Sequence, residues 1–184
     1  LKLVKVIDTH IHADHISALN ELNKRTNCIR VMGEKSKSEV IDLRIKDGEK
    51  IKVEEVELQA IYTPGHTDCS YSFLMNDRVF TGDTLLINGS GRTDFQNGNA
   101  YDAYDSIFNK LLKLPEKTLV FPAHDYNGKK FSTIENEKNN NPRLQVSSKE
   151  EYADIMNNLN LANPKMMDVA VPANVKGLTL DNIN

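Results

Sequence analysis

Three histidines and an aspartate crowd one short stretch, Thr9-His10-Ile11-His12-Ala13-Asp14-His15. Imidazole nitrogen and carboxylate oxygen are the donors that suit divalent iron, zinc or manganese. The chain has five histidines in all. The other two stand in turn-like peptides far downstream, Thr63-Pro64-Gly65-His66 and Pro122-Ala123-His124-Asp125, and Gly82-Asp83 closes another apolar run. No histidine is left for ordinary core or surface duty. A lone loop histidine is usually a hydrogen-bonded surface group, but that reading does not explain the whole set. The fold is expected to gather residues 10–15, 66, 83 and 124 around metal.

Each of these peptides follows a stretch that reads as a strand, the usual place for ligands in α/β sheets. Leu3-Val4-Lys5-Val6-Ile7 is β-branched and continuous, which predicts a strand buried on both faces. Ile16, Leu19 and Leu22 predict a short helix to about Lys24, and Cys28 to Met32 a second strand. Asp47-Gly48 is a turn between Leu43–Ile45 and Ile51–Val53, and Val56 to Tyr62 alternates as a half-exposed strand. Ser72–Met75 and Arg78–Thr81 flank Asn76-Asp77 as a hairpin. Tyr104, Ile107, Phe108, Leu111 and Leu112 have helical spacing, stopped by Pro115, and Thr118–Phe121 is a further buried strand. Ser132-x-x-Glu135 and Ser147-x-x-Glu150 resemble capping boxes that open two helices. This order predicts one α/β layered domain over residues 1–177, with a polar, frayed tail at 178–184.

Composition narrows the function classes. The chain has 184 residues, 39% hydrophobic and 27% charged, which suits a single globular domain. A formal net charge of −3 gives no reason to expect nucleic acid as a partner, and no apolar run reaches the ~18 residues of a membrane span. Two cysteines, Cys28 and Cys69, are too few for a disulfide framework.

His10-x-His12-x-Asp14-His15, followed in order by His66, Asp83 and His124, is similar to the metallo-β-lactamase superfamily signature. The resemblance implies an α/β fold, the αββα sandwich, with metal at one edge of its sheets. Two sites form in that superfamily, one from His10, His12 and His66, the other from Asp14, His15 and His124, bridged by Asp83. More specific are Gly82-Asp83-Thr84-Leu85-Leu86-Ile87, Gly91-Arg92-Thr93-Asp94-Phe95-Gln96, Pro122-Ala123-His124-Asp125-Tyr126, Asn141-Pro142-Arg143-Leu144 and Val171-Pro172-Ala173-Asn174. These resemble the persulfide dioxygenase branch from about residue 1 to about residue 175. That branch implies a single Fe(II) per chain, held by His10, His66 and Asp83, with glutathione persulfide and O₂ as partners and sulfite and glutathione as products. A facial triad of two histidines and one carboxylate leaves the remaining positions for sulfur and dioxygen. His12, Asp14, His15 and His124 then orient the ligands by hydrogen bonds.

Under this reading Arg92 is the expected partner of the glutathione carboxylates, and Tyr126 a hydrogen-bond donor into the site. Arg92 also reads as a surface arginine paired with Asp94. Cys69 has no part in the chemistry, since the substrate supplies the sulfur, and Cys28 reads as core. The resemblance implies a bacterial cytoplasmic or mitochondrial matrix enzyme, and a homo-oligomer is compatible with it. The chain opens just before the first metal motif, so strands that complete the sandwich are expected to be lacking at its N-terminus. The chain alone is accordingly expected to be aggregation-prone. Two other functions compete: a binuclear thioester hydrolase like glyoxalase II, which usually has a longer helical C-terminal region, and a metal-stabilised binding module without turnover.

Overall fold

A computed structural model describes residues 1–126 and 128–182. β1 (Lys5–Ile7) leads through α1 (Leu19–Thr26) to β2 (Ile29–Gly33) and β3 (Leu43–Ile45), which form a parallel sheet in the order β1-β2-β3. The second sheet begins with β4 (Lys50–Val53), β5 (Val56–Tyr62), β6 (Tyr71–Leu74) and β7 (Arg78–Gly82), each antiparallel to the last. The hairpin of β8 (Leu85–Leu86) and β9 (Gly89–Ser90) and the helix α2 (Ala100–Tyr104) intervene. β10 (Leu119–Pro122) then pairs parallel with β7, and β11 (Ser132–Thr133) closes a six-stranded sheet in the order β11-β10-β7-β6-β5-β4. Three helices follow, α3 (Ile134–Asn140), α4 (Lys149–Asn157) and α5 (Met167–Lys176).

The apolar sides of these elements fix the layers. Val31 and Ile45 of the small sheet pack against Ile51, Ala60 and Phe73 of the large one. Val79 and Val120, on the large sheet's other face, pack with Ile107, Leu111, Ile134 and Tyr152. Outside the small sheet, Met32 and Leu19 meet Val171 and Val175 of α5. The order helix, sheet, sheet, helix is the expected αββα sandwich. No helix among the described residues is long and apolar enough to cross a membrane.

This topology makes a common edge. β5, β7 and β10 run in one direction, so their C-terminal ends, before His66, Asp83 and His124, lie together. The Tyr71 backbone N–H donates to the Thr9 carbonyl at 2.9 Å and ties the segment after β1 to β6 of the large sheet.

Several elements differ from expectation. β1 is shorter than expected and only half-buried, with Leu3 and Val4 exposed, because it is an edge strand of the small sheet, although Val6 and Ile7 pack on its two faces. The 104–112 pattern buries Ile107 and Leu111 as predicted, but the backbone widens to a π-helix over Asp105–Lys110 and tightens to a 3₁₀ turn over Leu111–Lys113. Both capping motifs are shifted by one residue. Thr133 caps α3 by accepting from the Asn136 N–H at 3.1 Å, while Ser132 lies in β11. Ser148 caps α4 by accepting from Glu151 N–H, and Glu151 returns a bond to Ser147 N–H at 2.6 Å. Adjacent Ser-Ser and Glu-Glu pairs make that register ambiguous in sequence. The tail is docked as far as it is described: Thr179 is buried, accepts from Lys24 Nζ at 3.2 Å and donates to Asn182 Oδ1 at 2.8 Å. Residues 183 and 184 of that tail lie outside the described residues.

Candidate metal centre

His10, His66 and Asp83 converge. Each offers one ligand atom, and the three atoms lie within 4.8 Å of one another. Asp83 Oδ2 is 3.6 Å from His66 Nε2 and 3.9 Å from His10 Nε2. His66 Nδ1 donates to the Arg92 backbone carbonyl at 2.8 Å, which leaves the lone pair on Nε2, facing the carboxylate. His10 Nδ1 is 2.9 Å from Thr9 Oγ1. His10 is 1% exposed, and its pKa lies well below the usual imidazole value, first because burial disfavours the cation and then because His12 and His66 stand beside it. A buried neutral imidazole is a metal donor.

Glycines permit this closeness. A Cβ on Gly91 would run into the Asp83 carbonyl oxygen and stand 3.1 Å from His66 Cγ. Gly82 has φ of +52°, a conformation glycine adopts freely, and a Cβ there would press on Thr9.

His12, Asp14 and His15 form a second group whose ligand atoms also lie within 4.8 Å. His12 is buried and its Nδ1 has no hydrogen-bond partner among the described residues, whereas Asp14 and His15 are exposed. His124 belongs to neither ligand group but links them. Its Nδ1 lies 2.7 Å from Asp83 Oδ1 and its Nε2 3.0 Å from Asp14 Oδ2, so both nitrogens are engaged. The hydrogen bond to Asp83 chiefly, with the Asp14 charge behind it, outweighs burial and pushes the His124 pKa up to about 9. Burial works against the Asp14 carboxylate, but the adjacent His15 outweighs it and lowers the Asp14 pKa.

The centre opens into a cavity of about 560 Å³. Leu161, Ala162 and Pro164 form one wall, Tyr126 the rim. The Tyr126 ring stacks parallel to His124 with centroids 6.1 Å apart and is 82% exposed. Arg92 lines the cavity too, but its donors are engaged. Nε and Nη2 grip both oxygens of Asp94 at 2.6 Å, and Nη1 and Nη2 reach the carbonyls of Ala162 (2.6 Å) and Leu161 (3.1 Å). The guanidinium also lies 3.9 Å from the centroid of the Phe95 ring.

Arg143 is the cavity residue to which the sequence reading gave no role. Its Nη1 donates to the Ser90 carbonyl, and no carboxylate pairs with it among the described residues. Burial pulls its pKa below the usual guanidinium value, yet arginine stays cationic in proteins. The sequence signal is Asn141-Pro142-Arg143-Leu144, and the pairing of Arg92 with Asp94 is one of the two sequence readings of Arg92; only the fold brings Arg143 to the same cavity. Cys69 is buried, and burial raises its thiol pKa, the opposite of an activated nucleophile.

Layered αββα architecture with a histidine–carboxylate cluster at the sheet edge defines a class, and the family model described as metallo-beta-lactamase superfamily matches residues 31–124. The crystal structure of a metallo-beta-lactamase from Staphylococcus aureus subsp. aureus COL superposes with a TM-score of 0.91 over 98% of this chain and 59% of that one, at 24% identity, and so shares the fold. Nearer in sequence is the mitochondrial persulfide dioxygenase ETHE1 of Mus musculus, 44% identical over 179 residues that span 96% of this chain and 70% of that protein. The crystal structure of ETHE1 from Myxococcus xanthus has a TM-score of 0.93 and 48% identity, covering 95% of this chain and 77% of that one. The chain belongs to the persulfide dioxygenase family of the metallo-beta-lactamase superfamily.

Proposed function

We propose that the protein oxidises glutathione persulfide with dioxygen at one Fe(II) held by His10, His66 and Asp83. In the balanced reaction, glutathione persulfide, O₂ and water give glutathione, sulfite and two protons. The outer sulfur is oxidised, dioxygen is reduced, and water supplies the third sulfite oxygen. When bound, ferrous iron supplies the redox chemistry that lets dioxygen react with sulfur.

The observation that carries the single-iron reading is the placement of His124. Its nitrogens lie 2.7 Å from Asp83 Oδ1 and 3.0 Å from Asp14 Oδ2, which supports a role in orienting those carboxylates rather than in holding a second metal. The donor set of the first site fits a facial triad: two imidazoles, one buried and neutral, one with its tautomer set by a carbonyl, and one carboxylate.

The remaining cavity residues bind and orient. Arg143 is the cation available to a substrate carboxylate, because Arg92 is already paired. Leu161, Ala162 and Pro164 give the substrate an apolar wall. Tyr126 offers its hydroxyl at the rim.

The test is iron content together with oxygen uptake. One iron per chain and oxygen consumption on glutathione persulfide are expected, both lost in His66→Ala. Two metals per chain with release of glutathione from S-lactoylglutathione would replace this reading with hydrolysis.

A further inference from the structure

Asn174 sits on α5, at the far end of the chain from the metal-type loop, and yet its carboxamide is spent entirely on that loop. Nδ2 donates to the carbonyl of His12 at 2.9 Å and to the carbonyl of His15 at 2.9 Å. Oδ1 accepts from the backbone N–H of Ser17 at 2.8 Å. These groups follow His10 without intervening secondary structure, so the loop's own backbone cannot fix its path. With the Ser17 hydroxyl on Asp8 at one end and Gln96 on the Ile11 carbonyl at the other, this side chain holds the turn from residue 12 to residue 17.

The turn has a consequence at the centre. It places Asp14, whose Oδ2 is 3.0 Å from His124 Nε2, and His124 Nδ1 in turn lies 2.7 Å from Asp83 Oδ1. With Oδ1 so engaged, Oδ2 is the Asp83 oxygen that faces His10 and His66. We infer that Asn174 is a positioning residue for the metal centre, acting through the His12–Ser17 turn and the Asp14–His124 pair on the orientation of the Asp83 carboxylate. It touches neither metal nor substrate. The inference rests on the iron reading above.

A merely structural role would dock α5 and nothing more, and a control separates the two. Ser38 Oγ donates to the Asn174 backbone carbonyl at 3.2 Å, so Ser38→Ala loosens α5 and leaves the carboxamide in place. Fe(II) affinity, measured anaerobically by chelator competition, is compared in the parent, Asn174→Ala, Asn174→Asp and Ser38→Ala, with the visible spectrum of each Co(II)-loaded protein as a second readout. Asn174→Asp keeps an oxygen for Ser17 but loses both donors, and it decides the matter if the alanine variant does not fold. The expected result is a fall in Fe(II) affinity of about tenfold or more in both Asn174 variants, with an altered Co(II) spectrum, and parent-like values in Ser38→Ala. Parent-like affinity and spectrum in an Asn174 variant that melts lower would overturn the inference alone. A parent protein that takes up neither iron nor cobalt would overturn the iron reading beneath it.

Discussion

His66 Nδ1 donates to the backbone carbonyl of Arg92 at 2.8 Å, while the Arg92 side chain turns away to Asp94 and to the carbonyls of Leu161 and Ala162. One residue thus serves two parts of the site. Its backbone sets which imidazole nitrogen carries the lone pair. Its guanidinium latches the segment that walls the cavity. Gly91 beside it lets the strand of chain come close enough for both.

The latch is testable with Arg92→Lys. An ammonium cannot reproduce the two-pronged grip on Asp94 or reach both carbonyls. The expected loss is about 1–2 kcal/mol of stability, with faster hydrogen exchange over residues 158–165 and undiminished iron content, because the carbonyl that holds His66 remains. A tenfold rise in KM with exchange at 158–165 unchanged would return Arg92 to the role of a substrate contact.

The same latch predicts an acid response. The hydrogen bond from Arg92 holds the Asp94 pKa below the ordinary carboxylate value, against burial. A depressed folded pKa means stability that is fully present above the unfolded value of about 3.9 and is lost as the pH falls through the folded one. Asp94 is exposed, so screening keeps the increment below about 1 kcal/mol. Denaturant titrations at about pH 5.5 and about pH 3, on either side of the unfolded value, should show a smaller acid loss in Asp94→Asn than in the parent. Equal losses would mean that the pair contributes nothing.

Arg143 carries the substrate prediction. Arg143→Met keeps much of the stem and removes the charge. KM for glutathione persulfide should rise about 10–100-fold, the scale of one charge-assisted pair, with kcat changed far less and iron binding intact. A persulfide lacking carboxylates should show little difference between parent and variant. A fall in kcat alone, with KM unmoved, would place Arg143 outside substrate binding.

Much of this architecture is legible in sequence because the chemistry and the periodicity coincide. Val56 to Tyr62 alternates and forms β5 over those residues, and Leu43–Ile45 forms β3. The ligand candidates stand just after strands whose ends the sheet order brings together. Two things are not legible. Met167–Lys176 is helical although Pro172 lies inside it, because the packing of Ala170, Val171, Ala173 and Val175 outweighs the missing N–H. The Arg92–Asp94 pair is local and open to sequence reading, but only tertiary contacts show that Arg92 also holds Leu161 and Ala162 and that Arg143 lines the cavity with no carboxylate paired to it among the described residues.

His124 supports the last prediction. It bridges Asp83 and Asp14, so His124→Asn replaces a two-ended imidazole by a shorter amide that reaches one carboxylate at most. Asp83 Oδ1 then turns toward whatever donor is near, and Oδ2 no longer faces His10 and His66 by default. Fe(II) affinity should fall about 10–100-fold, and the metal-free protein should also melt lower at neutral pH, because the raised His124 pKa reflects contacts with Asp83 and Asp14 that stabilise the fold and are lost only as the pH rises toward about 9. Asp14→Asn breaks only the outer half of the bridge and should cost less than His124→Asn. If Asp14→Asn costs as much, the two carboxylates hold the imidazole as one unit. If His124→Asn binds iron like the parent but loses activity, His124 acts on the substrate side of the centre rather than through Asp83.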